Sequence, residues 1–319
     1  MKNLDSSFWK LWGTLAQRRA REVRPVLITG GTGLLGRAFA RICEHHGIPH
    51  VVTQRTYLDI SCEESVRMAL TELQPSAVIN AAGFNRIDEA SEDLERCVTD
   101  NTLGPIVLVA CCLESEIPLV TFSSDMVFGG DKATPYEEED QPSPVNLIGA
   151  SKADAEARIQ VINPLAMIVR TGPLFSPWDE SNFISSCLRA LALRQHFFAP
   201  CDLTVSPTYA PHLVEVTLGL LRAEARGIWH LANQGSVTFA EWARLAAEAA
   251  GLPTKYLVPV PAAEMDFRAR RPKHVPLTSK RGLVLPTTEE AIHCYLAETS
   301  TAGWLPELME VPREKVFLT

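Results

Sequence analysis

"VLITGGTGLLGRAFA", Val26 to Ala40, passes from a short β-branched and aliphatic run, through a glycine-rich turn, into a helix-like pattern. Gly30, Gly33 and Gly36 stand in the order Gly-x-x-Gly-x-x-Gly, with Thr32, Leu34 and Leu35 between them. Glycine permits the tight turn and a close backbone approach, and the free N–H groups at a helix start attract a pyrophosphate. A lone glycine motif carries little weight. Strand, loop and helix in sequence, at the head of a βαβ series, make it a dinucleotide loop.

Outward from that loop the alternation continues. "HVVT" reads as a strand, "CEESVRMALTELQ" as a helix, "SAVIN" as a strand, a stretch through "LVACCLES" as helical, and "IPLVTFSS" as a strand. "SKADAEARIQVI" then reads as a helix and "LAMIVR" as a buried strand. Short β-rich runs separated by helical patterns predict right-handed crossovers and a parallel sheet with helices on both faces. The expected fold is α/β, a Rossmann doubly wound parallel sheet with a smaller mixed substrate-binding lobe. Residues 25–170 form the NADP-binding Rossmann domain in this reading, and 171–319 the second lobe, with elements that return to the sheet. Residues 1–24 precede the first strand and group Phe8, Trp9, Leu11, Trp12 and Leu15 before "RRAREVR", as a short amphipathic helix or linker would. A homodimer, or a fused or partner domain reached through this extension, stays open.

The chain has 319 residues, 46% of them hydrophobic, enough for a sizeable core. A net charge of -8 and a pI near 5.6 argue against sequence-independent nucleic-acid binding, which needs a basic surface to displace counterions. The eight cysteines have no Cys-x-x-Cys spacing, so no metal site is expected, and reduced thiols are the simpler reading. No segment reads as long enough to span a membrane, and Asp5 and Lys10 interrupt the apolar residues near the start where a signal peptide would be continuous. A cytoplasmic protein is expected, without a membrane or nucleic-acid partner.

The end of the second strand selects the dinucleotide, because an acidic residue there bonds ribose hydroxyls and repels a ribose phosphate. "VVTQRTY" has none, and its Arg55 favours NADP(H) over NAD. Asp59 and Ile60 in "LDI" suit the adenine edge. Asn80, Ala81, Ala82 and Gly83 supply small residues at a strand end where the cofactor passes closely.

These motifs, with "VINAAGFNRIDEAS", Asn101, "TFSSDMVFGG", "SKADAE", "VRTGPLF", "NF" at 182 and 183, "VSPTY" and "RP" at 271 and 272, occur in the order of a known family. From about Pro25 to about Leu285 the chain resembles the extended short-chain dehydrogenase/reductases, and within them the dTDP-4-dehydrorhamnose reductase family. The resemblance implies NADPH-dependent reduction of a keto group on a nucleotide-linked deoxysugar, as in dTDP-rhamnose biosynthesis. It also implies a cofactor site that includes Asn101. Family members use a serine or threonine, a tyrosine and a lysine. Ser124 matches the hydroxyl that bonds the keto oxygen, and Lys152 matches the lysine that binds the nicotinamide ribose and lowers the tyrosine pKa. Asp125, Met126, Asn182 and Arg271 fall on the substrate side. Met126 stands where a tyrosine is frequent, and Val275 where a serine often follows "RP".

In "NLIGASKADAE" the tyrosine position holds Ile148, four residues before Lys152. Hydride delivery to a ketone builds an alkoxide, and isoleucine has no proton to give. Tyr136 and Tyr209 are the tyrosines to inspect, although neither has the helical spacing that would bring it to Lys152. Arg170 is expected to neutralise a carboxylate or phosphate. Two functions remain from the sequence: a nucleotide-sugar reductase with an unconventional proton source, and a non-catalytic NADP- or nucleotide-sugar-binding regulatory subunit, like the regulatory β subunit of methionine adenosyltransferase, a relative.

Overall fold

The computed structural model describes residues 24–282 and 285–302, with side chains to 299. The amphipathic helix expected over residues 1–24 therefore lies, but for Arg24, outside the described residues.

Six strands form one parallel sheet: β1 (Val26–Thr29), β2 (His50–Val52), β3 (Ala77–Asn80), β4 (Leu119–Phe122), β5 (Met167–Arg170) and β6 (Gly227–His230). Their spatial order is β2-β1-β3-β4-β5-β6, with Leu27 opposite Val78 and Ile79 opposite Val120. The order reverses between β1 and β3. In an open α/β sheet that switch point opens a crevice at the carboxyl ends of the strands, where ligands bind.

The helices are α1 (Leu34–His45), α2 (Glu63–Leu73), α3 (Leu94–Val98), α4 (Gly104–Glu114), α5 (Leu147–Ile162), α6 (Phe183–Ala192), α7 (Ala210–Arg222), α8 (Phe239–Ala249) and α9 (Thr288–Ala302). Successive strand residues point to opposite faces, so two cores form. Val26, Ile28, Ile79, Val120 and Val169 pack with Phe39 and Ile42 of α1 and Leu213 and Val214 of α7. Leu27, Val78, Leu119 and Ile168 pack with Val66 and Leu70 of α2, Leu108 and Cys112 of α4, and Ile159 of α5. Burial on both faces explains why the strands read as continuous apolar runs. Each fully buried aliphatic side chain contributes about 1.5–3 kcal/mol.

α3 and α4 join through a wide π turn at Thr99–Leu103 into one helix, Leu94–Glu114. It is long and apolar enough to cross a membrane by length and composition, which corrects the sequence reading that no segment is. Half of its apolar window is buried, and α4 packs on α2 and α5, as a core helix does.

After Arg170 a second lobe gathers Phe175, from the short strand Leu174–Phe175, with Ile184, Leu188, Trp242, Ile292 and Tyr295 from α6, α8 and α9. The chain also returns to the sheet: β6 pairs with β5, and α7 packs against α1. α5 begins four residues before Ser151, where the sequence pattern starts it. The reason is local, since the Asn146 side chain caps the helix by accepting the Gly149 N–H at 2.9 Å. Ile148 thereby lies in the first helical turn. Glycine at 149 is required because a Cβ there would collide with the backbone of Met126, its carbonyl carbon at 2.8 Å.

Candidate functional site

The phosphate loop is shaped by backbone meeting backbone. Gly30 has φ 70°, and a Cβ on it would lie 2.5 Å from the Ala82 nitrogen. A Cβ on Gly36 would press on Gly30, whose carbonyl carbon would be 2.8 Å away. Gly33 differs, because a Cβ there would meet only the Gly30 carbonyl oxygen at 3.4 Å. Gly33 and Thr32 are exposed, α1 has no side-chain cap, and its first turn holds no acidic residue. The first N–H groups of α1 are thus uncovered and uncompensated, the arrangement that receives a pyrophosphate. Leu35 is buried beneath the loop, while Leu34 lies at its edge.

Asn80 fixes the floor. It accepts from the Thr29 hydroxyl at 2.8 Å and donates to the Thr121 hydroxyl at 3.1 Å, tying together the ends of β1, β3 and β4. Ala81 and Ala82 run against Gly30, and a Cβ on Gly83 would crowd the Asn101 Oδ1 at 3.0 Å. Asn101 sits in the π turn, a feature frequent at functional sites. Its side chain accepts the Phe84 N–H at 2.8 Å and donates to the Phe84 carbonyl and the Ser151 hydroxyl. Arg55 is half-exposed and pairs with Asp100 at 2.8 Å and Asp59 at 3.4 Å. Burial opposes ionisation of Asp59, but Ser61 and Arg55 outweigh it and hold the carboxyl below its usual range. Ile60 is buried against Gly104.

At the other end, Lys152 donates from Nζ to the Phe122 carbonyl at 3.1 Å. Burial pushes it down to about 8, against the opposing charge of Glu156 one helical turn on and of Cys97. Ser124, partly exposed at the end of β4, donates to Asp125 Oδ1 at 2.9 Å and accepts the Met126 N–H at 3.2 Å. Asp125 is 1% exposed, and its Oδ2 has no partner. The Ser123 hydroxyl is likewise buried without a partner and lines a void of about 10 Å³ with Asn101, Lys152 and Glu156.

Ile148 is 3% exposed and packs with Phe84, Ala90 and Cys97. The tyrosine position is therefore apolar and filled. Neither tyrosine singled out from the sequence replaces it. The Tyr136 hydroxyl accepts the Gly130 and Lys132 N–H groups and donates to Asp131 at 2.9 Å, with its ring stacked on Phe128. Tyr209 lies in the second-lobe core beside Phe175.

The substrate-side residues are distributed less simply. Arg271 makes a two-pronged pair with Asp88, both contacts at 2.5 Å, and its guanidinium lies over Phe267. That guanidinium holds the Asp88 carboxyl down at about 2. Asp88 also accepts the Arg268 and Ala269 N–H groups, and Asn146 donates to the Arg270 carbonyl at 3.0 Å, so residues 268–271 are strapped across the loop after β3 and the start of α5. Asn182 caps α6: it accepts the Ser185 N–H and donates to the Ser176 and Asp179 carbonyls. Met126 sulfur faces Asn146 Nδ2 at 3.5 Å. Val275 is buried with Val127, Phe128 and Tyr136.

Arg170 meets the expected carboxylate. Its guanidinium bonds Glu156 at 2.6–3.2 Å, with both side chains almost fully buried. His230 stands 3.3 Å away, and burial, then the Arg170 charge, pushes it down to about 4. Glu156 was not singled out in the sequence, although its i+4 spacing from Lys152 places it on the same helical face.

A glycine cradle at the switch point, with Ser124 after β4 and Lys152 of α5 bonded to the end of that strand, defines a dinucleotide-binding Rossmann protein of the reductase type. Residues 24–299 match the family model described as the RmlD substrate binding domain, and the chain belongs to that family. It is 31% identical over 269 residues to the dTDP-4-dehydrorhamnose reductase of Mycolicibacterium smegmatis, covering 83% of this chain and 82% of that one. It is 30% identical to the dTDP-4-keto-6-deoxy-D-glucose reductase of Streptomyces niveus, with 79% and 87% covered. The crystal structure of dTDP-4-dehydrorhamnose reductase from Bacillus anthracis in complex with NADP superposes with a TM-score of 0.82 at 27% identity, covering 86% of this chain and 99% of that chain. The resemblance read from the sequence and the expected fold class are both borne out: this is a dTDP-4-dehydrorhamnose reductase-like protein.

Proposed function

We propose that this protein binds NADP(H) in the glycine cradle and reduces a keto group on a nucleotide-linked deoxysugar in the cytoplasm. The observation that carries the proposal is the cradle itself, whose uncapped helix start and Cβ-intolerant glycines fit a pyrophosphate. Gly30, Thr32, Gly33 and Leu34 would hold the pyrophosphate, Ala81 to Gly83 would border the nicotinamide side, and Lys152 would hold its ribose. The bound cofactor supplies a hydride. Ser124 bonds the keto oxygen and orients it, Lys152 contributes positive charge to the developing alkoxide, and Asp125 closes the pocket behind Ser124. Arg55 reaches a ribose phosphate only by leaving Asp100, so its share in selecting NADP over NAD is small.

The packing of Ile148 with Phe84, Ala90 and Cys97 favours a second reading, a subunit that binds the ligands without turnover. Titration of NADPH fluorescence supports either function. Oxidation of NADPH on addition of a dTDP-4-keto-6-deoxysugar supports the reductase, and tight NADPH binding with no oxidation by any nucleotide keto-sugar supports the binding subunit.

A further inference from the structure

Resting on the reductase reading above, we propose that Asp125 supplies, through the Ser124 hydroxyl, the proton that isoleucine at 148 cannot give. The two side chains are already bonded, and protonation of Asp125 reverses that bond, so that the carboxyl donates to Ser124 Oγ and the serine proton is free for the keto oxygen. Ser124 is partly exposed just past the end of β4 and is bonded at 2.9 Å to Oδ1 of a carboxyl that is 1% exposed. The Oδ2 of that carboxyl has no hydrogen-bond partner, which is costly for a buried carboxylate and much less so for a neutral acid.

The charged groups on the elements packed against Asp125 do not pair with it. Lys152 of α5 directs its Nζ to the Phe122 carbonyl, and Glu156 of the same helix is bonded to Arg170 of β5. Burial therefore dominates and pushes the Asp125 carboxyl up to about 7, against the opposing hydrogen bonds of Ser124 and the Met126 N–H. A carboxyl in that range is largely protonated just below neutral pH and can release the proton, as a general acid must.

The step balances without a further reactant. The carbonyl carbon gains a C–H bond from the hydride of the reduced nicotinamide dinucleotide, which is oxidised, and the carbonyl π pair moves to oxygen. That oxygen takes the Ser124 proton while Ser124 Oγ takes the Asp125 proton. An alcohol, an intact serine and an Asp125 carboxylate remain, and the carboxylate takes a proton from solvent before the next turnover.

The test is Asp125→Asn, which keeps size and hydrogen bonding but has no acidic proton. The expected result is a fall in kcat of roughly a hundredfold, with KM and NADPH affinity changed less than about twofold. Wild-type kcat should decline as pH rises past about 7, and the variant should lose that limb. A second readout needs no turnover: the infrared band of the protonated carboxyl in the NADPH-bound protein should titrate near neutral pH, shift in Ser124→Ala and vanish in Asp125→Asn. Unchanged kcat in Asp125→Asn, or a carboxyl ionised down to about pH 5, overturns the relay and leaves Lys152 as the donor. A wild-type protein that binds NADPH and reduces no nucleotide keto-sugar overturns the reductase reading, and the relay with it.

Discussion

At the phosphate end of the cleft, glycines stand where backbone must touch backbone, and the first N–H groups of α1 are left open; at the proton end, four residues from a half-buried lysine, an isoleucine is sealed among Phe84, Ala90 and Cys97. At the first end Gly30 and Gly36 have no room for a side chain. The second is closed by apolar side chains. Binding geometry and proton chemistry are thus separable in this fold, because one is fixed by main-chain approach and the other by a single side chain and its neighbours.

The sharpest way to break the contrast is at the glycines. Gly36→Val, which drives a side chain into Gly30, should remove measurable NADPH binding and lower the melting temperature. Gly33→Val should remove binding with the melting temperature nearly unchanged, since a Cβ at Gly33 meets only one atom, at 3.4 Å. Paired fluorescence titrations and thermal melts decide; equal melting temperatures for the two variants would show that the loop is not locked by backbone contact.

Next in size is Ile148→Tyr, which returns a hydroxyl to a site that keeps Gly149, Ser151 and Lys152. A gain in kcat of roughly a hundredfold is expected with little change in KM. The larger ring must also displace the apolar cluster, so stability should fall by about 1–3 kcal/mol in denaturant unfolding. A folded, NADPH-binding variant without any gain would mean that the proton end has diverged beyond one residue. Met126 is then the next position to change, because Val275 is buried in a separate cluster.

A smaller effect is expected from pH. Burial holds Lys152 at about 8 in the folded chain, below its ordinary 10.5, so between those values the unfolded chain binds more protons and stability rises with pH. Lys152→Met should therefore stabilise the fold at pH 7, on the order of 1–2 kcal/mol, and the advantage should disappear above about pH 10. Unfolding measured across that range checks the sign. The smallest change is expected from Arg55→Ala, which should reduce the preference for NADPH over NADH by no more than about tenfold, because Arg55 is half-exposed and already shared between Asp59 and Asp100.

The sheet was legible because its strands are apolar on both faces and its helices are periodic, so element type followed from local pattern. Strand order was not, since nothing local to "GIWHLAN" says that it pairs with Met167–Arg170 and not within the second lobe. The start of α5 was missed because its cap, Asn146, precedes a glycine that weakens the helical pattern, and the reason for that glycine is the distant Met126 backbone. In the site, Lys152, Ser124 and the missing tyrosine were visible as residue types. The partners were not: Arg271 with Asp88, and Arg170 with Glu156, are long-range pairings that only the folded chain brings together.

The wide turn at Thr99–Leu103 has a consequence for how Leu94–Glu114 can vary. Successive residues of an α-helix are separated by roughly 100° about the axis, so one residue gained or lost rotates everything beyond it by that angle. Upstream of the turn Cys97, and within it Asn101, look toward Ser151 of α5; downstream Leu108, Val109, Cys111 and Cys112 look into the core beneath the sheet. The turn is the phase adjustment between these two azimuths. The length of chain between Cys97 and Leu108 is therefore under as firm a constraint as its composition, and conservative substitutions should be tolerated there far better than any single insertion or deletion.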